Sequence, residues 1–432
     1  MSVRAFLSHA KSGLQHAIDH RQRVNIVVGN ESADLDSLAS SILYAYIRST
    51  MPLSHREQPF AELYVPLTNI PSEDVQIRPE FLALLSHANL DPSHLITLDD
   101  LSPLSTLAGR LAPQCTKWVL VDHNALQGQL GQSYGSRVRG VVDHHDDENL
   151  VPADTGAEPR IITPSGSCSS LVTAQCREAW DSISNAAIEE GTLDASGRDD
   201  PAAIGKTWDA QLAKLTLAAI LIDTTNLTSK SKVTPPDQDA VEYLEGKILA
   251  SPEEAAKYDR KAFFNEMQAA KQSLDSLRLK DILRKDYKEW LEHSKRMGVS
   301  SVVKPLGYLM DKAAHEQPGA ANNKGIALLD AVRDHARNHD LSICVIMTSF
   351  KSEQGKHRRE LFIWAFDADG VAQMKRFTND AQADLQLRSW DEGTLDVTDG
   401  SSEWRRVWRQ NFAQASRKQV APRLRQAMQP TT

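Results

Sequence analysis

The 432-residue sequence carries 49 Lys and Arg against 57 Asp and Glu, a net charge of −8, with 41% hydrophobic and 25% charged residues. This is the composition of a folded globular protein, so wholesale disorder is excluded, and the longest purely apolar runs, such as LAAILI at 217–222, fall far short of the ~20 residues that cross a bilayer. A mildly acidic chain is also a poor generic nucleic-acid binder, and its length suggests about two or three domains.

In chain order, Phe6, Leu7, Ala10, Leu14, Ala17 and Ile18 recur at helical spacing and predict an amphipathic helix packed on the fold. The first eighteen residues hold Arg4 and Lys11 and no acid, which leaves a mitochondrial presequence as the minor reading. Residues 24–28 (VNIVV) read as a buried strand and 37–48 as a helix, with further strands at 95–98, 118–121 and 138–142. The apolar run 215–222 reads as a buried helix leading to Asp223, and the polar stretch 181–208 as a surface insertion or a helix–loop excursion. KVTPPD at 232–237 predicts a linker. Beyond it, helical patterns at 238–249, 252–276 and 325–338 and strands at 341–347 and 360–366 suggest a second, smaller α/β domain. The expected fold class is therefore α/β, with a mainly parallel-sheet domain over residues 1–235 and a second domain over 236–432.

Charge divides at the same place. Residues 1–235 hold 18 basic and 28 acidic residues, whereas 236–432 hold 31 and 29, with seven basic residues and one acid from Glu403 onward. An acidic half suits cations, and a basic tail suits an anion. The four cysteines form no CxxC pair and are no disulfide framework, and no apolar leader is present, so a cytoplasmic protein is expected.

Four polar clusters stand at strand or helix ends of the acidic half: GNESADLDS (29–37), VDHN (121–124), VDHHD (142–146) and DTTN (223–226). Asp34 and Asp36, two residues apart at a strand-to-helix junction, can reach adjacent cations. Taken singly, each Asp serves equally well as a helix cap. Together the four clusters read as a two-metal site whose oxygen-rich donors suit Mg²⁺ or Mn²⁺ rather than a zinc thiolate centre.

NESADLDS, VDHN, VVDHH and LIDTTN resemble the four signature motifs of the DHH phosphoesterase superfamily. KDYK (285–288) and ASRKQVAP (415–422) resemble the DHHA2-type domain shared by manganese-dependent inorganic pyrophosphatases and cytosolic exopolyphosphatases. The resemblance implies metal ligation by Asp34, Asp36, Asp122, His144 and Asp223, with Asp122 bridging two cations, so that Asp122, His144 and His145 form the catalytic set. Asp143 would orient an imidazole, His145 would face phosphate, and Lys288, Arg417 and Lys418 would close on the substrate, placing the active site in the cleft between the domains. Pyrophosphatases carry a His where this chain has Asn30. That change swaps a borderline-soft ligand for a weaker oxygen-type group, favours Mg²⁺ over Mn²⁺, and moves the expectation from pyrophosphatase to exopolyphosphatase, with Asn30 among the substrate-binding residues.

The expected reaction is hydrolysis of the terminal phosphate of inorganic polyphosphate, with two divalent cations lowering the pKa of a bridging water. His357 and Arg358, within a basic KHRR run, are candidates for more distant phosphates, while Arg405, Arg406, Arg409, Arg423 and Arg425 read better as a solvated face. Three alternatives remain. The nearest is a manganese-type inorganic pyrophosphatase. A nucleotide phosphodiesterase is opposed by the absence of any GG pair in 236–432 and by only 6% aromatics for base stacking. A non-catalytic relative is opposed by five intact ligand positions. Neither a membrane nor a nucleic-acid partner is expected, and a monomer is compatible with everything in the sequence.

Overall fold

The computed structural model of the chain describes residues 1–51, 60–191, 201–317, 323–398, 400 and 402–429. They form two compact units, residues 1–271 and 272–432.

The first unit opens with α1 (Val3–His20), whose six spaced apolar residues are all buried and whose first turn is capped by the Ser2 hydroxyl, accepting from Ala5 N at 3.2 Å. Six strands follow: β1 (Val24–Val28), β2 (Tyr64–Thr68), β3 (Ile96–Thr97), β4 (Thr116–Val121), β5 (Val138–Asp143) and β6 (Arg160–Ile162). Every pairing is parallel, in the spatial order β3-β2-β1-β4-β5-β6. Central parallel strands are buried on both faces, which is why β1, β4 and β5 appear in the sequence as nearly unbroken apolar runs. Between strands lie α2 (Leu35–Thr50), α3 (Ser72–Val75), α4 (Pro79–Ser86), α5 (Leu104–Arg110) and α6 (Gly128–Tyr134). After β6 come α7 (Cys168–Gly191), α8 (Pro201–Thr224) and α9 (Pro235–Leu249), packed on one another, then α10 (Pro252–Ala255) and α11 (Arg260–Gln272). The chain steps outward from β1 through β2 and β3, then returns to the other side of β1 at β4. At such a switch point the loops leaving the two strands diverge and open a crevice beyond their carboxyl ends.

The division at 271 corrects the expected boundary at 235. Thr234 is the N-cap of α9, its prolines occupy the first helical positions where a missing N–H costs nothing, and the Asp237 side chain accepts from Thr234 N at 2.8 Å. The PPD segment starts a helix rather than linking domains. Ala240, Val241, Leu244 and Ile248 then enter the same core as β1 and β4, and Phe263 and Met267 of α11 join it. Of the two readings of 181–208, the described residues fit the helical one: α7 runs to Gly191 and α8 starts at Pro201, with 192–200 outside the described residues.

The second unit begins with α12 (Leu279–Lys285) and holds a mixed sheet of β7 (Tyr287–Glu292), β8 (Lys295–Val302), β9 (Ile343–Thr348), β12 (Glu360–Ala365), β13 (Leu387–Ser389) and β14 (Trp404–Gln410), in the order β13-β14-β12-β9-β8-β7. Only β8–β9 is parallel among these pairings. A small hairpin, β10 (Phe350–Lys351) and β11 (His357–Arg358), forms its own sheet. Helices α13 (Leu306–Glu316), α14 (Lys324–Asn338), α15 (Ala368–Ala381) and α16 (Arg417–Met428) complete the unit. The arginines read as a solvated face are mostly tied down. Arg405 is buried with its guanidinium 4.4 Å from the centroid of the Trp364 ring, and Arg406, Arg423 and Arg425 pair with Asp396, Asp384 and Glu292. No helix among the described residues is long and apolar enough to cross a membrane.

Candidate metal centre

The loop after β1 can fold back on α2 because Gly29 has no side chain; a Cβ there would lie 2.4 Å from that of Ser37. Asp34 caps α2, its Oδ1 accepting from the backbone N–H groups of Asp36 and Ser37 at 3.1 Å each. Behind the loop the buried Arg78 guanidinium donates to Ser32 O at 2.8 Å and to Asp74 O at 2.7 Å.

From the end of β4, Asp122 takes a left-handed backbone (φ 62°), which costs a non-glycine residue roughly 1 kcal/mol. Its Oδ2 accepts from Asn30 Nδ2 and Ser37 Oγ, both at 2.7 Å, so its Oδ1 is the oxygen turned to His144 Nε2, at 3.1 Å. His144 follows β5, and its Nδ1 lies 3.0 Å from Ser165 O. A carbonyl can only accept, so Nδ1 carries a hydrogen and Nε2 is the ring nitrogen turned to Asp122, with Asp36 Oδ2 at 3.8 Å. The same logic holds for His145, whose Nδ1 is 2.7 Å from Asp143 Oδ1. Burial opposes a charge on Asp143, but hydrogen bonds from His145 and Asn124 hold its carboxyl far below the usual range.

Asp36 is buried at the start of α7. It accepts from Ser167 Oγ (2.8 Å), Cys168 N (2.7 Å), Ser169 N (2.8 Å) and Ser169 Oγ (2.6 Å), the arrangement a helix N-terminus offers an anion. Asp223 ends α8, just before three left-handed residues, Thr225, Asn226 and Leu227.

Crowding among these acids is visible in their protonation. Burial, then Asp34 and Asp36, push the Asp122 carboxyl up to about 7 against the pull of His144. Burial and Asp36 likewise push Asp223 up to about 7, countered by Lys271 and Lys232. Carboxylates that repel one another in a buried crevice, with an imidazole nitrogen aimed among them, fit a divalent cation. One ligand atom from each of Asp122, Asp143, His144 and His145 lies within 4.8 Å of the others. The Cys168 thiol is no rival ligand: burial and the neighbouring acids push its pKa well up, and it donates to Val142 O at 3.1 Å.

The fold thus gathers Asp34, Asp36, Asp122, Asp143, His144, His145 and Asp223 in the first unit. Asn30, expected among the substrate-binding residues, is engaged within the protein. It is buried, its Nδ2 is committed to Asp122 and its Oδ1 accepts from Ser32 N at 2.9 Å, so it orients the carboxylate. In the second unit, Lys288 lies on β7 and Arg417 and Lys418 open α16. Arg417 reaches Asp286, two residues before Lys288, through Nη2 to Oδ1 at 2.7 Å and Nη1 to the carbonyl at 3.1 Å. His357 and Arg358 are exposed on the separate hairpin, His357 Nε2 lying 3.0 Å from Ser349 Oγ. Sequence reasoning missed Ser37, Arg78, Asp237, Lys232, Lys271 and the 165–170 turn. A serine-rich stretch with a glycine just before a helix was the one usable signal for that turn.

The family description "DHH family, N-terminal domain" matches residues 25–198 and "DHHA2 domain" matches residues 265–427. A protein of Schizosaccharomyces pombe named "Putative exopolyphosphatase" is 28% identical over 98% of this chain and 97% of its own length. The mouse "Exopolyphosphatase PRUNE1" is 25% identical over 81% of this chain, a match that covers 64% of the mouse protein. Among solved structures, a Methanococcus jannaschii "putative family II inorganic pyrophosphatase" shares the fold, with a TM-score of 0.50, 18% identity and coverage of 94% of this chain and 99% of that one.

Proposed function

The chain carries a DHH-family N-terminal domain and, toward its C-terminal end, a DHHA2 domain, and from that premise we propose that it is an exopolyphosphatase. It would release the terminal phosphate of inorganic polyphosphate with the help of two divalent cations, Mg²⁺ or Mn²⁺. The observation that carries this reading is the convergence of Asp36, Asp122 and His144 at the switch point, with Nε2 of the imidazole turned inward because Nδ1 is held by Ser165 O. The exopolyphosphatase names of its relatives support the substrate class.

Asp34, Asp36, Asp122, His144 and Asp223 would hold the cations. When bound, these supply positive charge for the phosphoryl oxygens and lower the pKa of a water toward neutrality. Asp143 accepts from His145 Nδ1 and so leaves Nε2 to face a phosphate oxygen, to which it would donate as the imidazolium that Asp143 stabilises. Asn30 and Ser37 hold Asp122 Oδ2, which fixes the direction of Oδ1. Lys288, Arg417 and Lys418 would neutralise charge on the transferred and leaving groups, with Arg417 suited to a bidentate contact. His357 and Arg358 would bind phosphates further along the chain. The leaving group is a shortened polyphosphate, already a stable anion, so no strong general acid is required of the protein.

The deciding assay compares phosphate release from long-chain polyphosphate and from pyrophosphate, each with Mg²⁺ and with Mn²⁺. Polyphosphate is expected to be the faster substrate. Rapid pyrophosphate hydrolysis with slow polyphosphate hydrolysis would instead establish the second reading, an inorganic pyrophosphatase. Arg417→Ala should lower kcat for polyphosphate by about 10²- to 10³-fold, the usual loss for one donor to a developing charge. Arg425→Ala, whose partner is Glu292 (2.6 Å), should leave kcat within about twofold. Equal losses in the two variants would remove Arg417 from the proposed phosphate clamp.

A further inference from the structure

One short turn sets the aim of two of the candidate ligands. Residues 165–170 present Ser165 O to His144 Nδ1, and Ser167, Cys168 and Ser169 to the carboxylate of Asp36. A shift of this turn would swing His144 Nε2 and reorient Asp36 together. What holds it is a residue from a different part of the chain, Asp237, on the first turn of α9.

Asp237 is fully buried and surrounded by donors. Its Oδ1 accepts from Ser165 Oγ (3.0 Å), Ser167 N (3.2 Å) and Ser170 Oγ (2.6 Å). Its Oδ2 accepts from Gly166 N (2.9 Å), Thr234 N (2.8 Å) and Thr234 Oγ1 (2.7 Å). Four of these six donors belong to the turn, far more than a capping box needs. The fit is close from the other side too: a Cβ at Gly166 would stand 2.7 Å from Asp237 Oδ2 and 2.7 Å from the Thr224 methyl, next to Asp223.

We propose that Asp237 is a positioning residue of the metal centre, which orients His144 and Asp36 by fixing the 165–170 turn. It touches neither substrate nor cation; it acts through two groups that the proposed function makes ligands, and the inference rests on that reading. Removing such an outer partner typically weakens metal binding about 10- to 100-fold.

The test measures Mn²⁺ affinity by electron paramagnetic resonance on the full chain, first stripped of metal, for wild type, Asp237→Asn and Gly166→Ala. Asparagine keeps the volume but turns an NH₂ toward backbone and hydroxyl donors. Alanine at 166 pushes the turn off an intact Asp237, and so gives the answer even where the Asp237 variant folds poorly. Asp209→Asn is the control for mere loss of stability, because Asp209 anchors Trp180 Nε1 (2.9 Å) and Ser184 Oγ (2.5 Å) on the flank of α8. The expected result is an Mn²⁺ dissociation constant raised at least tenfold in both turn variants and unchanged in Asp209→Asn, with KM for polyphosphate unchanged at saturating metal. Wild-type Mn²⁺ affinity in folded Asp237→Asn and Gly166→Ala would overturn this role and leave the metal centre standing. Failure of the wild-type protein to bind Mn²⁺ would overturn the metal centre itself.

Discussion

Asp122→Asn is expected to lower phosphate release by at least about 10³-fold while raising the melting temperature of the metal-free protein at pH 8. Both effects follow from the two oxygens having different partners. Oδ2 accepts from Asn30 and Ser37, so an asparagine would place its carbonyl there. Its NH₂ would then occupy the Oδ1 position and donate to His144 Nε2, 3.1 Å away in the wild type. Every hydrogen bond is retained or improved, the repulsion from Asp34 and Asp36 disappears, and asparagine tolerates the left-handed backbone at this position well. The nitrogen lone pair that should meet a cation is consumed in the process. Thermal melts with and without Mn²⁺, beside a phosphate-release assay, read both quantities. Activity within tenfold of wild type would remove Asp122 from the catalytic set. A lower melting temperature for the metal-free variant would contradict the repulsion described above.

The second large effect concerns pH. The metal-free protein should lose stability between pH 5 and pH 8, by on the order of 2 kcal/mol, and saturating Mn²⁺ should abolish the loss. In the folded chain Asp122 and Asp223 keep their protons to about 7, while an unfolded carboxyl releases its proton near 4. Between those values the folded state binds more protons than the unfolded state, so stability falls as pH rises and the loss is complete only above about 7. His335 works in the opposite direction: burial lowers it to about 4, so it adds stability as pH climbs toward 6.5, and it offsets part of the fall. The depressed carboxyls of Asp143, Glu158 and Asp237 lose their contribution only at more acid pH. Cations bound at the crevice replace the protons and make the carboxylates welcome. A metal-free melting temperature that climbs steadily from pH 5 to pH 8 would contradict this account.

Legibility in the sequence tracked physical cause. Strands β1, β4 and β5 were readable because central parallel strands must be apolar on both faces. Strand β2 was not, because Pro66 interrupts YVPLT, and β6 is only three half-buried residues long. The metal-ligand candidates stood out by clustering polar residues at strand and helix ends, and the motif resemblance ordered them. Asn30 was visible, yet its orientation was not, since only the structure reveals that both ends of its carboxamide are engaged. Asp237 was hidden for a different reason. A carboxylate three residues after Thr234 satisfies a capping box entirely by itself, and the turn it also binds lies about 70 residues away. Arg405 misled through composition, because an arginine stacked on a buried tryptophan contributes the same charge to a count as one in solvent.

The helix that begins at Thr234 makes the two units unequal as exchangeable modules. A fragment ending at Pro235 would keep all five metal-ligand candidates and still lack the carboxylate that fastens the turn behind two of them, along with the four apolar residues of α9 that belong to the core. Any recombination between relatives that joined sequences at the proline pair would pair one parent's ligands with the other parent's fastener. A crossover after Lys271 keeps them from the same parent, so inheritance of a working metal crevice in this fold should follow residues 1–271 as a block.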